Sequence, residues 1–350
     1  MYDLLLINTH RQRDFDGGGY ADWLGVRLLA SYIEDCGYSA RVFSGFTHEC
    51  VEILREELPR GVKVVGFACD YDNWREVMNL AKMIKEEYGV PVIVGGHQAI
   101  ALDKDFLEKS GVLAIVRGEG EIPLHGLMQY LIDGAGSLAD IPGLTYLEDG
   151  AEKRTPSPPP IENLDALPFI DPSLCLDSHF RDRYATVITA RGCPFQCAFC
   201  YEGGNTRRVR WRSVDNVMAE LKEMLASTPE LRFALFVDDT FTLNKKRIAE
   251  FCDKLRVYRE ERDFCWFAEA HASTILKHPE IIPMMVDAGL ASLQIGVESG
   301  SERVLRGYNK KTTPQMLKEA VAICKEASVV HVPANIIVGG AFETRETIEE

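Results

Sequence analysis

No apolar run in the 350 residues approaches the roughly 18–20 that a membrane-spanning helix needs, and Asp3 interrupts the first apolar segment before it can read as a secretory leader. The expectation is a soluble, cytoplasmic protein with no membrane span. Basic residues are also short: 39 Lys plus Arg stand against 53 Asp plus Glu, a formal net charge of −14. An average surface of that sign repels a nucleic-acid backbone, so the expected partner is a small-molecule or peptide substrate and not nucleic acid. The ten cysteines lack the short, regular spacing of a disulfide framework, and without a leader they are expected as reduced thiols or metal ligands. Internal repeats and low-complexity blocks are missing. So is the G-x-G-x-x-G fingerprint: Asp16-Gly17-Gly18-Gly19-Tyr20 does not match it, and no ribose-binding acid follows at the usual distance, which argues against an NAD site.

What is present is enough apolar residue, 46%, to bury two cores. Residues 1–132 alternate short apolar runs (4–7, 40–43, 62–67, 91–94 and 113–116) with helix-period stretches such as 71–87. Five βα units predict an α/β, doubly wound, Rossmann-like domain over residues 1–150. Residues 143–150 read as a strand and turn. A proline-rich connector is expected at 151–180, with Pro158, Pro159 and Pro160 in succession. A second alternation fills 181–350, with strands at 185–189, 233–237, 265–268, 292–297 and 330–337. Helices are expected between them at 214–226, 245–256, 279–288 and 314–327, and a last one near Arg345. Thr313 before Pro314 is a good helix start, because the hydroxyl caps and proline at the first position loses no useful donor. This is a partial βα barrel, incomplete at its carboxyl end, with chemistry expected where the βα loops gather.

The sharpest signal is the loop after the first strand of that barrel, where Cys193, Cys197 and Cys200 form a C-x3-C-x2-C run. Three thiolates on one tight loop reach three corners of an iron–sulfur cubane, since soft sulfur suits iron and short spacers let the loop wrap the cluster. The fourth iron stays open and can chelate the amino and carboxylate groups of S-adenosylmethionine (SAM). The competing readings are three buried thiols or a zinc site, but structural zinc takes four protein ligands and no fourth Cys or His lies nearby.

The run Ala190-Arg191-Gly192-Cys193-Pro194-Phe195-Gln196-Cys197-Ala198-Phe199-Cys200 resembles the cluster loop of the radical SAM superfamily, and the whole chain is similar to its branch with an amino-terminal B12-binding domain. The resemblance implies a [4Fe-4S] cluster on the three cysteines, SAM, cobalamin and a partial (β/α)6 barrel. It implies SAM contacts from Phe199, from Asp238 and Asp239 after the second strand, from Glu298 and Ser299 after the fourth, and from Gly339 after the fifth. At that last turn Gly339 and Glu343 match the family, while Ala341 and Phe342 stand where a proline and a second glycine are usual. Arg210 is preferred as an anion contact within the run Arg207, Arg208, Arg210, Arg212. Single acids such as Asp239 also start helices, Glu298 can serve its following helix, and arginine runs are more often solvated faces.

In the first domain an open parallel sheet binds ligands across the carboxyl ends of its strands. The candidate loops are residues 8–20, 68–73, 95–99 and 117–121. The loop of Gly95, Gly96, His97 and Gln98 and that of Gly118, Glu119, Gly120 and Glu121 resemble the two loops that embrace the corrin and its tail in B12-binding radical SAM proteins. No Asp-x-His-x-x-Gly motif supplies a lower cobalt ligand, so that face is left to Cys69, Asp70 or Tyr71, or open. His10 and His97 stand in the right loops, where a lone histidine is more often a hydrogen-bonding residue than a ligand. Cys36, Cys50, Cys252, Cys265 and Cys324 are expected as buried small hydrophobes.

The resemblance implies methylation of an unactivated carbon or phosphorus, with one SAM giving methyl through cobalamin and another giving a 5′-deoxyadenosyl radical. An electron donor such as flavodoxin or ferredoxin is implied. The alternatives are a radical cyclisation, rearrangement or oxidation with the same cofactors, and a non-catalytic iron–sulfur carrier or sensor. A methylthiotransferase fits less well, because that group carries an early Gly-Cys motif and the first cysteine here is Cys36.

Overall fold

The computed structural model describes residues 1–10, 24–176, 184–201 and 208–350. It divides into two compact units, Met1–Glu162 with Ala166–Arg181, and Asn163–Asp165 with Asp182–Glu350.

The first unit is built on β1 (Leu4–His10), β2 (Ala40–Phe46), β3 (Val64–Ala68), β4 (Val92–Gly95) and β5 (Ala114–Val116), all parallel in the order β2-β1-β3-β4-β5. Strand parity shows why these segments read as unbroken apolar runs. Leu4 and Leu6 pack on the face of α1 (Leu24–Asp35) and α5 (Glu121–Met128). Leu5 and Ile7 pack on the face of α2 (Thr47–Glu57), α3 (Trp74–Tyr88) and α4 (Lys104–Ser110). The sheet is doubly wound, as its sequence pattern predicts. An antiparallel hairpin, β6 (Leu144–Glu148) and β7 (Ala151–Arg154), extends it beyond β5, so residues 151–154 form an edge strand. The proline-rich segment returns along the same unit: the N–H of Leu176 donates to the Val42 carbonyl at 2.8 Å and that of Asp171 to Ser31 Oγ at 2.9 Å.

The second unit holds β8 (Ala185–Val187), the short antiparallel pair β9 (Ala190–Arg191) and β10 (Arg210–Trp211), then β11 (Phe233–Phe236), β12 (Cys265–Ala270), β13 (Leu290–Glu298) and β14 (Ala334–Ile336). Five of these are parallel in the order β14-β13-β12-β11-β8. Around them run α6 (Val214–Ser227), α7 (Lys245–Glu261), α8 (Ala272–Lys277), α9 (Ile281–Asp287), α10 (Glu302–Gly307), α11 (Pro314–Glu326) and α12 (Arg345–Glu349). The Thr313 hydroxyl caps α11 by accepting the Met316 N–H at 3.2 Å.

The core of this unit lies between sheet and helices. Trp266 and Phe236 of the strands meet Phe251 of α7 edge-on, with ring centroids 6.0 and 4.9 Å from it. Buried Trp266 donates its indole N–H to the Ala288 carbonyl at 3.0 Å, so no polar atom is stranded there.

Two expectations need correction. Cys50, Cys252 and Cys324 are buried, but Cys36 and Cys265 are only half-buried. The fifth barrel strand shrinks from the expected 330–337 to three exposed residues, paired with β13 alone. No described helix is long and apolar enough to cross a membrane.

Candidate cofactor sites

Parity decides which side chains enter the barrel. Ala234 and Phe236 on β11, Trp266, Ala268 and Ala270 on β12, and Leu293 and Ile295 on β13 pack into the helix-facing core. The opposite set therefore lines the interior: Asp239 just past β11, Glu269 and His271 on and after β12, and Gln294, Gly296 and Glu298 on β13. These are the carboxyl ends of the strands.

The three cysteines follow β9 at the same ends. Gly192, at φ +95°, makes the turn into Cys193, and the N–H of Cys200 returns to the Cys197 carbonyl at 3.2 Å. Cys193 is buried, Cys197 half-buried and Cys200 exposed. Burial raises the Cys193 thiol against hydrogen bonds from the Phe195 N–H and Thr240, and raises the Cys197 thiol against Lys310. Among the described residues no group of three or more His, Cys, Asp or Glu side chains is gathered tightly enough to hold a metal ion.

Two acidic neighbours part company here. Asp238 lies on the helix-facing parity, fully buried, and its carboxylate accepts from the Thr189 N–H, the Thr189 hydroxyl and, at 3.0 Å, the Ala190 N–H. Burial pushes its carboxyl up against those donors and Arg247. Through these bonds Asp238, expected as a SAM contact, ties β11 to the entry of the cluster loop. Asp239 alone is exposed on the interior side.

Glu298, at φ +65°, is buried and accepts from Lys310 Nζ at 2.8 Å. The Ser299 hydroxyl accepts the Ser301 N–H at 3.1 Å, so its oxygen serves the turn into α10. Gly339 takes φ +77°, and its N–H and that of Gly340 both donate to the Glu343 carboxylate. Phe199 is exposed and meets Tyr308 edge-on at 5.3 Å. Arg210 is buried in β10 opposite Arg191, and Arg212 is held by Glu220 and the Ile188 carbonyl, so this part of the arginine run is no solvated face. Arg207 lies outside the described residues.

Three interior residues carry no motif. His271 stacks on Phe195 of the cluster loop, centroids 3.8 Å apart at 14°. Its Nδ1 accepts the Ser273 N–H at 3.3 Å, which puts the ring proton on Nε2, and that buried atom has no partner among the described residues. Burial and then Lys310 push the His271 pKa down to about 3, so the ring stays neutral. Burial and then Asp239 push Glu269 up to about 7. Lys310 is the third. Only the strand period could have singled out Glu269 and His271, alternate residues at the end of β12 and just past it.

In the first unit the described loops at the strand ends are stitched together. The Cys69 N–H donates to the Gly95 carbonyl at 2.7 Å and the Gln98 N–H to the Cys69 carbonyl at 3.1 Å. Gly96, at φ +102°, fits only as glycine: a Cβ would sit 2.6 Å from the Cys69 carbonyl oxygen. Buried Asn73 donates to the Thr9 and Ala68 carbonyls and accepts the Asp70 N–H at 2.7 Å. That use of its side chain delays α3 from the expected residue 71 to Trp74.

Burial would raise the Asp70 carboxyl, but the His97 ring and the Tyr71 N–H outweigh it and hold it below the usual range. Tyr71 and His97 are exposed, and His10 is buried with Nε2 2.7 Å from Asn8 Nδ2. Gly118 takes φ +80°, Gly120 sits against Leu29, Glu119 accepts the Ile161 N–H at 3.0 Å, and Glu121 is buried in the first turn of α5. The larger part of the first loop, residues 11–20, lies outside the described residues. Buried Asn8 Oδ1 and Ser44 Oγ, on residues paired across β1 and β2, lack partners among the described residues and give these strand ends unsatisfied polar groups for a ligand.

The comparisons agree on both units. Residues 187–350 match the radical SAM superfamily and residues 16–128 the B12 binding domain. An uncharacterized methyltransferase of Pyrococcus horikoshii is 32% identical over 337 residues, 93% of this chain and 71% of that protein. The chain belongs to the radical SAM superfamily, in its B12-binding branch. An anaerobic magnesium-protoporphyrin IX monomethyl ester cyclase of Rubrivivax gelatinosus is 29% identical over 93% of this chain and 60% of its own length. The fold is that of the cobalamin-dependent SAM radical enzyme OxsB, at TM-score 0.83 with 19% identity over 100% of this chain and 51% of that one. It is also that of the radical SAM methyltransferase TsrM of Kitasatospora setae, at 0.80 with 19% identity over 99% and 69%. The protein is a radical SAM enzyme, and its cofactors are a [4Fe-4S] cluster, SAM and cobalamin. The carrier or sensor reading falls with that membership.

Proposed function

We propose that this radical SAM enzyme methylates an unactivated carbon, or phosphorus, of a small-molecule or peptide substrate. The observation that carries the reading is one chain that joins a B12 binding domain to the three-cysteine loop and shares 32% identity with a protein named a methyltransferase. When bound, the cluster and cobalamin supply the electron that cleaves SAM and a carrier for its methyl group. The residues supply position. Cys193, Cys197 and Cys200 would hold the cluster and leave one iron for SAM. Asp239 would offer a carboxylate to the SAM ammonium, Glu298 and the Gly339 turn would serve its ribose and adenine, and Phe199 would flank the adenine. Asp70, Tyr71, Gly95, Gly96, His97 and Gln98, with Gly118, Glu119 and Gly120, form the walls for the corrin. The reading places the enzyme in the cytoplasm, reduced by a flavodoxin- or ferredoxin-like donor.

A second reading, radical ring closure without methyl transfer, is favoured by the cyclase relative at 29% identity. The test is anaerobic incubation of the reconstituted, reduced protein with SAM. Methylation requires both S-adenosylhomocysteine and 5′-deoxyadenosine; 5′-deoxyadenosine alone removes methyl transfer and leaves the cyclase-like reading.

A further inference from the structure

One short turn far along the chain grips the cluster loop by several means. The Tyr308 carbonyl accepts the Ala198 N–H at 2.8 Å, and the Asn309 amide donates to the Gln196 carbonyl at 2.7 Å. The Tyr308 ring meets Phe199 edge-on, and Lys310 Nζ lies 5.9 Å from the centroid of the same ring. Residues 196, 198 and 199 lie in the two spacers, 194–196 and 198–199, between Cys193, Cys197 and Cys200, so the turn touches both spacers. Its own backbone is built for the purpose: Asn309 takes φ +54°, a left-handed conformation that asparagine tolerates.

Lys310 is buried, and its acidic partner among the described residues is Glu298. A buried ion pair is costly to maintain for stability alone. The pair holds the ammonium beside the Phe199 ring, against the second spacer of the loop.

We propose that the turn at residues 308–310 is the positioning device of the cluster loop. The inference rests on the three cysteines holding the cluster, as proposed above. Lys310, Asn309 and Tyr308 are positioning residues; none is asked to touch the reacting atoms.

The test is the rate at which the anaerobically reconstituted holoenzyme loses iron to a chelator, read beside its denaturant midpoint. Asn309→Gly keeps the left-handed backbone and removes only the amide bond to Gln196, so it is expected to lose iron several-fold faster with a midpoint near that of the wild type. Asn309→Asp keeps the side-chain size and replaces the donor with an acceptor facing the Gln196 carbonyl, and is expected to do the same. Iron loss at the wild-type rate in both variants overturns the proposal, as does faster loss that only follows a general loss of stability. A wild-type protein that binds no cluster overturns the cysteine assignment itself, a distinct outcome.

Discussion

At the scale of single residues, neighbouring acids of one type do different work because the strand period points them to opposite sides. Asp238 accepts three hydrogen bonds from residues 189 and 190, and an amide there turns at least one donor toward donors. Asp238→Asn is expected to destabilise the protein by about 2 kcal/mol, read from a denaturant midpoint. Asp239→Asn, on an exposed residue, should stay within about 0.5 kcal/mol and weaken SAM binding instead. Glu269 offers a pH test. Its folded pKa, pushed up to about 7, lies above the ordinary carboxylate value of the unfolded chain, so the folded state holds the proton longer. The stability this gives is complete at pH below the unfolded value and is lost as pH rises through about 7. Thermal midpoints measured from pH 5 to 8 should therefore fall more steeply for the wild type than for Glu269→Gln. Parallel curves would show that Glu269 is ionised throughout. Such differences are invisible in a run of letters: Asp238 and Asp239 look alike until a strand fixes which one faces inward.

At the scale of elements, what could be read in advance was whatever carries a long period or a fixed spacing. The five parallel strands of the first unit are apolar on both faces and announce themselves as unbroken runs. α6 and α7 are long enough to show their 3.6-residue repeat, and the three cysteines need only local spacing. α8 and α10, six residues each, are too short to show a period. β14 has three exposed residues and gives little apolar signal. The grip of Asn309 on Gln196 spans 113 positions, and nothing local to either residue encodes it. Glycine was legible where backbone demands it, and Gly96 makes the claim testable. Gly96→Ala places a methyl 2.6 Å from one Cys69 backbone atom and 2.9 Å from another at a φ that side chains rarely adopt. Backbone cannot swing aside as a side chain would, so a loss of about 2–3 kcal/mol is expected in a denaturant melt. An unchanged midpoint would show that the loops after β3 and β4 are not locked together.

At the scale of the whole chain, each unit owns its core. The helix-facing cluster around Trp266 and Phe236 draws only on the second unit, and the two sheet faces of the first draw only on the first. The contacts described above for the residues proposed for each cofactor join residues of the same unit. Cofactor loading should then separate along that line. Cys197→Ala removes one of the three proposed iron ligands, and its side chain is in none of the core clusters, so iron and sulfide content should fall to background while cobalamin content stays near that of the wild type. Gly96→Ala, acting on the loops after β3 and β4, should lower cobalamin content and leave iron content near wild type. Both are measured on anaerobically reconstituted protein by metal and sulfide analysis and by the cobalamin absorption spectrum. In each, formation of S-adenosylhomocysteine should vanish or fall sharply, but 5′-deoxyadenosine should persist only in Gly96→Ala, because SAM cleavage needs the cluster alone. If Cys197→Ala also lost cobalamin, loading of the two units would be coupled, and the local reading of each site would have to be given up.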